Sequence, residues 1–359
     1  MSPNVKSYLI DENFTIKQTM RRMSEIGEKE LFIVDAQLQL KGAVSDGDIR
    51  KWILKGGLLD DPVSGAFNRS PQSVKKGYRI KNVKQIMLDK KIESVPVLDD
   101  NGVVQEVLIW DAVFAGKVDK YKPKLNIPVI IMSGGRGTRL DPFTRILPKA
   151  LIPIDGKPII EVIMDKFNAY DIKDFFITVN HKARMIKSYF EEMNQKYRIT
   201  YIEEDKPLGT AGSLKFLEKK LKDPFLVTNC DVIIDSDYGD IINFHTEHKY
   251  DLTVVVSCRH YVIPYGVCEI EGGGLLKSIK EKPEYDLLVN TGMYVMNNRI
   301  LSLVPKNKFF NMTDLISVAK EKNFKIGVFP INEKSWMDIG QWEEYYKAIK
   351  DVSANFQDQ

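Results

Sequence analysis

Residues 129–149 read Val-Ile-Ile-Met-Ser-Gly-Gly-Arg-Gly-Thr-Arg-Leu-Asp-Pro-Phe-Thr-Arg-Ile-Leu-Pro-Lys. The apolar, β-branched run Val129 to Met132 predicts a buried strand. Gly134, Gly135 and Gly137 follow at once. Glycines so placed let the backbone approach a ligand closely and aim several N–H groups at it. Arg136, Arg139, Arg145 and Lys149 add four cations. A strand, a glycine-rich turn and a set of cations suit a polyphosphate. An ordinary strand–turn with a solvated basic face would account for the glycines and cations alone. The pattern is not a P-loop, because no G-x-x-x-x-G-K-[ST] occurs. Leu140 stands where a dinucleotide fingerprint needs its third small residue.

The stretch resembles the signature of sugar-1-phosphate nucleotidyltransferases, G-G-x-G-T-R-L-x-P-x-T…P-K. Gly134, Gly135, Gly137, Thr138, Arg139, Leu140, Pro142, Thr144, Pro148 and Lys149 match it. The resemblance covers roughly 128–350 and implies a Rossmann-like mixed α/β sheet. It implies that Ser133, Gly134, Gly135, Gly137, Thr138 and Arg139 hold the nucleotide.

Bulk composition sets wider bounds. With 359 residues, the chain is long enough for two or three domains. It is 43% hydrophobic and 28% charged, as globular domains are. A net charge of +3, with both signs interspersed, argues against a nucleic-acid binder relying on a basic surface. No apolar run reaches the roughly 18 residues of a membrane span, and the first residues show no secretory pattern. The three cysteines are odd in number and lack zinc-site spacing. A reduced, cytoplasmic protein is the plain reading.

Before residue 119 the chain reads as a repeat of about sixty residues, each a helix–strand–strand–helix unit too small to bury its own sheet. Thr15 and Gln18 form a capping-box pattern. Ile16, Met20, Met23 and Ile26 follow at helical spacing, and Leu31 to Val34 reads as a strand. The second copy has Ile80, Val83, Ile86 and Met87, then Val95 to Leu98. The pair, 1–60 and 61–118, resembles two cystathionine-β-synthase-type (CBS) modules of α+β class. Gly42, Ser45 and Asp48 fit that family's G-x-x-[ST]-x-x-D. The resemblance makes Ser45 and Asp48 ligands for an adenine nucleotide effector. In the second copy Gln105 and Leu108 replace the glycine and hydroxyl before Asp111. A structural pair mediating dimerisation is the alternative to ligand sensing. Residues 119–127 read as a polar linker, and 351–359 as a tail.

From 128 to 350, strands alternate with helices, which implies a mainly parallel sheet with ligands at its carboxyl edge. Pro207-Leu-Gly-Thr-Ala-Gly-Ser213 precedes a predicted helix with Leu214, Leu217 and Leu221. The family resemblance places the nucleobase at Gly209 and Thr210, and the wording looks most like guanylyltransferases. Phe225 to Asp231 reads as a buried strand ending in a carboxylate, with Cys230 where the family has glycine. Such an Asp beside a phosphate site suits Mg²⁺. Trp336, Asp338 and Gly340 match the family's W-x-D-x-G, which makes Asp338 the second metal ligand. Gly266, Glu281, Lys282, Asn290 and Gly292 match the sugar-side motifs, with Lys282 also a catalytic cation beside Arg139, Lys149 and Asp231. Asn290 is expected to open a strand.

The implied reaction joins a nucleoside triphosphate and a sugar 1-phosphate, releasing pyrophosphate. The order of the two parts resembles guanylyltransferases of nonulosonate (legionaminic acid) synthesis, which implies GTP and glucosamine 1-phosphate. Uridylyl or thymidylyl transfer is the alternative. A CBS sensor attached to an inactive transferase is another, weighed against by the survival of Arg139, Lys149, Asp231, Lys282 and Asp338. A cytidylyl- or molybdopterin-type transferase with a similar glycine turn is a third reading, against which Glu281-Lys282-Pro283 and Asn290-Thr-Gly292 argue. Both parts resemble families that dimerise, which implies a homo-oligomer.

Overall fold

The computed structural model describes residues 5–90, 92–114, 122–135, 137–154, 156–192, 196–218, 220–221, 223–331, 333–340, 342 and 345. Arg136, part of the expected linker and the expected tail lie outside these, as does the side chain of Asp111. Two compact units form. The first comprises 1–121, 258–288 and 332–334, and the second 122–257, 289–331 and 335–359. The stretch 258–288, expected within the transferase part, thus groups with the N-terminal residues.

In the first unit the repeat is present. One copy runs β1 (Leu9–Ile10), α1 (Ile16–Ile26), β2 (Glu30–Val34), β3 (Leu40–Ser45) and α2 (Asp46–Leu54). The other runs β4 (Val74–Lys75), α3 (Ile80–Lys90), β5 (Ser94–Leu98), β6 (Val104–Ile109) and α4 (Trp110–Phe114). Each forms a three-stranded sheet, ordered β1-β2-β3 and β4-β5-β6. The capping box at α1 closes as expected: Gln18 N–H donates to Thr15 Oγ1 at 3.1 Å, and Thr15 N–H to Gln18 Oε1 at 2.9 Å. One face of α1, with Ile16, Met20 and Met23, buries against Leu31, Ile33 and Val44. The other side of that sheet, through Phe32 and Ala43, meets Val107 and Ile109 of the second copy. Neither copy could cover its sheet alone, and this seam is where each covers the other.

The second unit is built on a seven-stranded sheet. Its elements begin with β7 (Val129–Ser133), α5 (Phe143–Ile146), the short pair β8 (Pro153–Ile154) and β9 (Lys157–Pro158), α6 (Ile159–Asn168), β10 (Asp174–Val179), α7 (Ala183–Glu191) and β11 (Arg198–Glu203). Next come β12 (Phe225–Asn229), β13 (Val232–Ile234), α8 (Tyr238–Glu247) and β14 (Leu252–Val262). The hairpin β15 (Val267–Glu271) and β16 (Leu275–Lys280) comes next in the chain but groups with the first unit; then follow β17 (Glu284–Met296), α9 (Met312–Glu321), β18 (Ile326–Ile331) and β19 (Trp336–Asp338). The sheet order is β11-β10-β7-β12-β17-β14-β18. β7 pairs in parallel with β10 and β12, while β12 and β17 are antiparallel, so the sheet is mixed. Val129, Ile130 and Ile131 are fully buried, as an unbroken apolar run in a central strand requires.

Two expected elements differ. Residues 212–217 form a 3-10 helix, not an α-helix, and the N–H groups of Ala211 and Gly212 at its start donate to the carbonyl of Phe310. Asn290 to Tyr294 lie well inside β17 and do not open it. Among the described residues no helix is long and apolar enough to cross a membrane.

Candidate functional site

The glycine turn follows directly from β7. Ser133 N–H donates to the Thr178 hydroxyl of β10 at 3.1 Å, which fixes the strand end. A side chain at Gly134 would stand 2.8 Å from the Glu204 carboxylate. Gly137 has φ +69°, and a Cβ there would meet that of Lys149 at 2.9 Å. By contrast, nothing lies within 4 Å of a Cβ at Gly135. Thr138 and Arg139 sit exposed on a single 3-10 turn. Arg145 pairs with Asp141 at 3.2 Å. Asp141 also accepts the Thr144 hydroxyl at 2.7 Å, and its carbonyl accepts the indole N–H of Trp342 at 3.0 Å. These bonds brace the segment between the turn and Lys149.

The two aspartates expected to hold a metal are brought together. β13 pairs antiparallel with β19, with Val232 opposite Asp338, so Asp231 and Asp338 become neighbours despite their separation in sequence. Ile339 N–H donates to the Asp231 carbonyl at 2.9 Å, and Gly340 N–H to Asp338 Oδ1 at 2.9 Å. The Lys149 ammonium donates to Asp231 Oδ2. A Cβ at Gly340 would meet Asp231 Oδ2 at 2.8 Å, Asp338 Oδ1 at 2.8 Å and Lys149 Nζ at 2.9 Å. All three charged groups therefore converge on one glycine. Burial pushes the Asp338 carboxyl above the usual carboxylate range, and the neighbouring charge of Asp231 adds to this. Two carboxylates beside a phosphate-type turn fit Mg²⁺, which takes one or two carboxylates and leaves its other positions to phosphate and water. Cys230 is buried, and its thiol is pushed up to about 12, so it stays protonated and packs as a small apolar residue.

The expected base loop is held from outside. Gly209 has φ +78°, and a Cβ there would stand 2.6 Å from the Phe310 carbonyl. Phe310 N–H donates to the Leu208 carbonyl at 2.9 Å, and Met312 N–H to the Thr210 hydroxyl at 2.8 Å. On the sugar side, Gly292 has φ +86°, and a Cβ there would press on the Asn229 amide at 2.5 Å. Asn290 accepts Gly292 N–H at 3.0 Å and donates to the Tyr294 hydroxyl at 2.7 Å.

The remaining expected residues belong to the first unit. A Cβ at Gly266 would stand 3.0 Å from Glu281 Oε2, so these two are neighbours. Glu281 and Lys282 are exposed, and Lys282 holds φ +43°. Ser45 and Asp48 bond to each other. The Ser45 hydroxyl donates to Asp48 Oδ2 at 2.7 Å, and its backbone N–H to the same oxygen at 3.0 Å. Asp48 N–H donates to Ser45 Oγ at 3.2 Å, so the pair closes a capping box on α2. Beside them, Glu30 accepts the Ser94 hydroxyl, and burial pushes its carboxyl up to about 7. A cleft of about 950 Å³ in the first copy is lined by Lys6, Asn13, Phe14, Lys41 and Arg69 among others, and includes neither Ser45 nor Asp48.

The nucleotidyl transferase family model matches residues 128–355. The chain belongs to this family. It is 31% identical to the mannose-1-phosphate guanyltransferase of Yarrowia lipolytica over 226 residues, covering 60% of this chain and 61% of that protein. It is 27% identical to the UTP–glucose-1-phosphate uridylyltransferase of Synechocystis over 245 residues, covering 62% of each. The chain thus spans about three fifths of the length of these curated relatives. Among solved structures, HddC from Yersinia pseudotuberculosis superposes with a TM-score of 0.50 at 26% identity, covering 63% of this chain and 99% of that one. HddC has also been solved in complex with GMP-PN.

One residue of this nucleotidyl transferase was missed in the sequence. Glu204 is buried, takes the Leu208 N–H on Oε2 at 3.2 Å and lies against Gly134. The Thr178 hydroxyl, which holds Ser133, also bonds to it. Burial raises its carboxyl above the usual range. Glu204 therefore joins the glycine turn to the base loop. An acidic pair, Glu203-Glu204, just before Pro207-Leu-Gly was the available signal, but charge pairs are usually solvated.

Proposed function

We propose that the protein transfers a nucleotidyl group from GTP to a hexose or hexosamine 1-phosphate, releasing pyrophosphate. The convergence of Lys149, Asp231 and Asp338 on Gly340, beside the glycine turn, carries this reading. The attacking sugar phosphate is already a nucleophile at neutral pH, so no general base is needed. The barrier lies in bringing two polyanions into line and in the charge that develops on the α-phosphate and the leaving pyrophosphate. Positioning and fixed charge supply most of the catalysis in such a case. The N–H groups of Gly134, Gly135, Gly137 and Thr138 cradle the triphosphate, and Arg139 neutralises the pyrophosphate side. Lys149 leaves Asp231 for the phosphates. Asp231 and Asp338 would hold Mg²⁺, which would supply positive charge to offset that of the phosphates. Lys282 takes the sugar phosphate. Glu281, Asn290 and the backbone at Gly266 and Gly292 take the sugar hydroxyls.

Guanine is supported by the mannose-1-phosphate guanyltransferase relatives and by the complex of HddC with GMP-PN. Glucosamine 1-phosphate, for nonulosonate synthesis in the cytoplasm, is the acceptor that the order of the two parts favours. The N-terminal residues form a CBS-type pair, 1–60 and 61–118, followed by the transferase domain, 128–350. Because Ser45 and Asp48 bond to each other, and Glu30 adds a carboxylate beside them, a structural role is favoured over binding of an adenine nucleotide.

The test is Arg139→Ala. A preorganised donor of this kind is worth about 3–4 kcal/mol, or 10²–10³ in rate. Turnover should fall at least about a hundredfold with the melting temperature unchanged. Near-normal turnover would remove Arg139 from the mechanism.

A further inference from the structure

Lys282 holds φ +43°, a left-handed backbone that residues with a side chain rarely adopt. It also precedes Pro283, and a residue before proline is pushed toward extended conformations. A residue kept in such a state needs surroundings that enforce it. Three features do so here. Pro283 is buried, although Glu281 and Lys282 before it and Glu284 and Tyr285 after it are exposed. The Pro283 carbonyl accepts the Ile263 N–H at 3.1 Å, which ties it to the chain just past β14. Glu284 Oε2 accepts from the Arg21 guanidinium at 3.1 Å. Arg21 lies on α1 of the first copy, 263 positions away in sequence, and also pairs with Glu25 at 3.5 Å. All of these residues belong to the first unit.

Given Lys282 as the cation that takes the sugar phosphate, we propose that Arg21 is a positioning residue for the acceptor. Through Glu284 it holds Glu281 and Lys282 where they meet the sugar 1-phosphate. The N-terminal repeat thereby has a part in substrate binding that calls for no effector. α1 suits this task, because its capping box and its buried face fix it independently of the segment it holds. The two side chains of the pair are 44% and 52% exposed. An ion pair in such a place is worth at most about fivefold in an equilibrium constant. The effect therefore falls on the binding of one substrate and not on the chemistry.

The test is the steady-state kinetics of the full chain for wild type, Arg21→Ala, Glu284→Ala, the double variant and Arg21→Lys. Each single alanine should raise the KM for the sugar 1-phosphate up to about fivefold, with kcat and the KM for GTP within about twofold of wild type. The double variant should match either single one, because both remove the same link. Arg21→Lys keeps the charge and should stay near wild type. Unmoved KM values would overturn the proposal, as would equal shifts for both substrates or a double variant that shows the product of the two single effects. Hydrogen exchange reads the link without turnover. In Arg21→Ala the peptides spanning 281–288 and the Ile263 amide should exchange faster, while those of β7 keep the wild-type rate. A wild type silent with every substrate pair would fail the transfer reading and not the Arg21 link. Exchange then decides, and an unchanged rate at 281–288 overturns the link.

Discussion

Gly340 has room for a hydrogen and nothing more. A methyl group there would push at once on Asp231, Asp338 and Lys149. Displacing reacting groups by about 1 Å can cost about a hundredfold in rate. Gly340→Ala should therefore lower turnover by about two orders of magnitude while the melting temperature moves little. Normal turnover would mean that the three charges are not the centre. Gly340 could be read from its motif, because W-x-D-x-G fixes type and spacing. Glu204 could not, since it packs against Gly134, just after β7, and Thr178 of β10, both far from it in sequence.

At the level of elements, strands and helices with one clear apolar face were legible. β7, α1 and the repeat all form where their patterns place them. The errors lie where tertiary hydrogen bonds decide. The Phe310 carbonyl takes the N–H groups of Ala211 and Gly212 just where the turn at 212–217 begins. Gly292 fits its positive φ inside β17, which leaves that strand longer than its motif suggested. The seam between β2 and β5 carries a pH dependence that no motif signals. Glu30 starts β2, accepts from Ser94 of β5 and is faced by the charges of Asp48 and Glu93. Burial raises its carboxyl from 4.5 to about 7. The folded state thus prefers the protonated form. Its contribution is complete below 4.5 and is lost as pH rises through about 7. Glu30→Gln should remove that loss and stabilise the first unit at pH 8 by on the order of 2 kcal/mol, with little gain near pH 5. Melting curves that run parallel to wild type from pH 5 to 8 would contradict this.

For the whole molecule, the sequence motifs placed the two aspartates, and the fold supplied the pairing of β13 with β19 that makes them neighbours. The grouping of 258–288 with the N-terminal residues was not legible, because it depends on packing and not on any local pattern. The central claim is nucleotidyl transfer with GTP and a sugar 1-phosphate. The most direct measurement is Mg²⁺-dependent pyrophosphate release by the full chain, over GTP, UTP, dTTP, CTP and ATP against hexose and hexosamine 1-phosphates. Release should be fastest with GTP and a hexosamine 1-phosphate, and should disappear in Asp231→Asn. No release with any pair, with adenine nucleotides also supplied, would contradict the claim and leave an inactive transferase attached to a sensor.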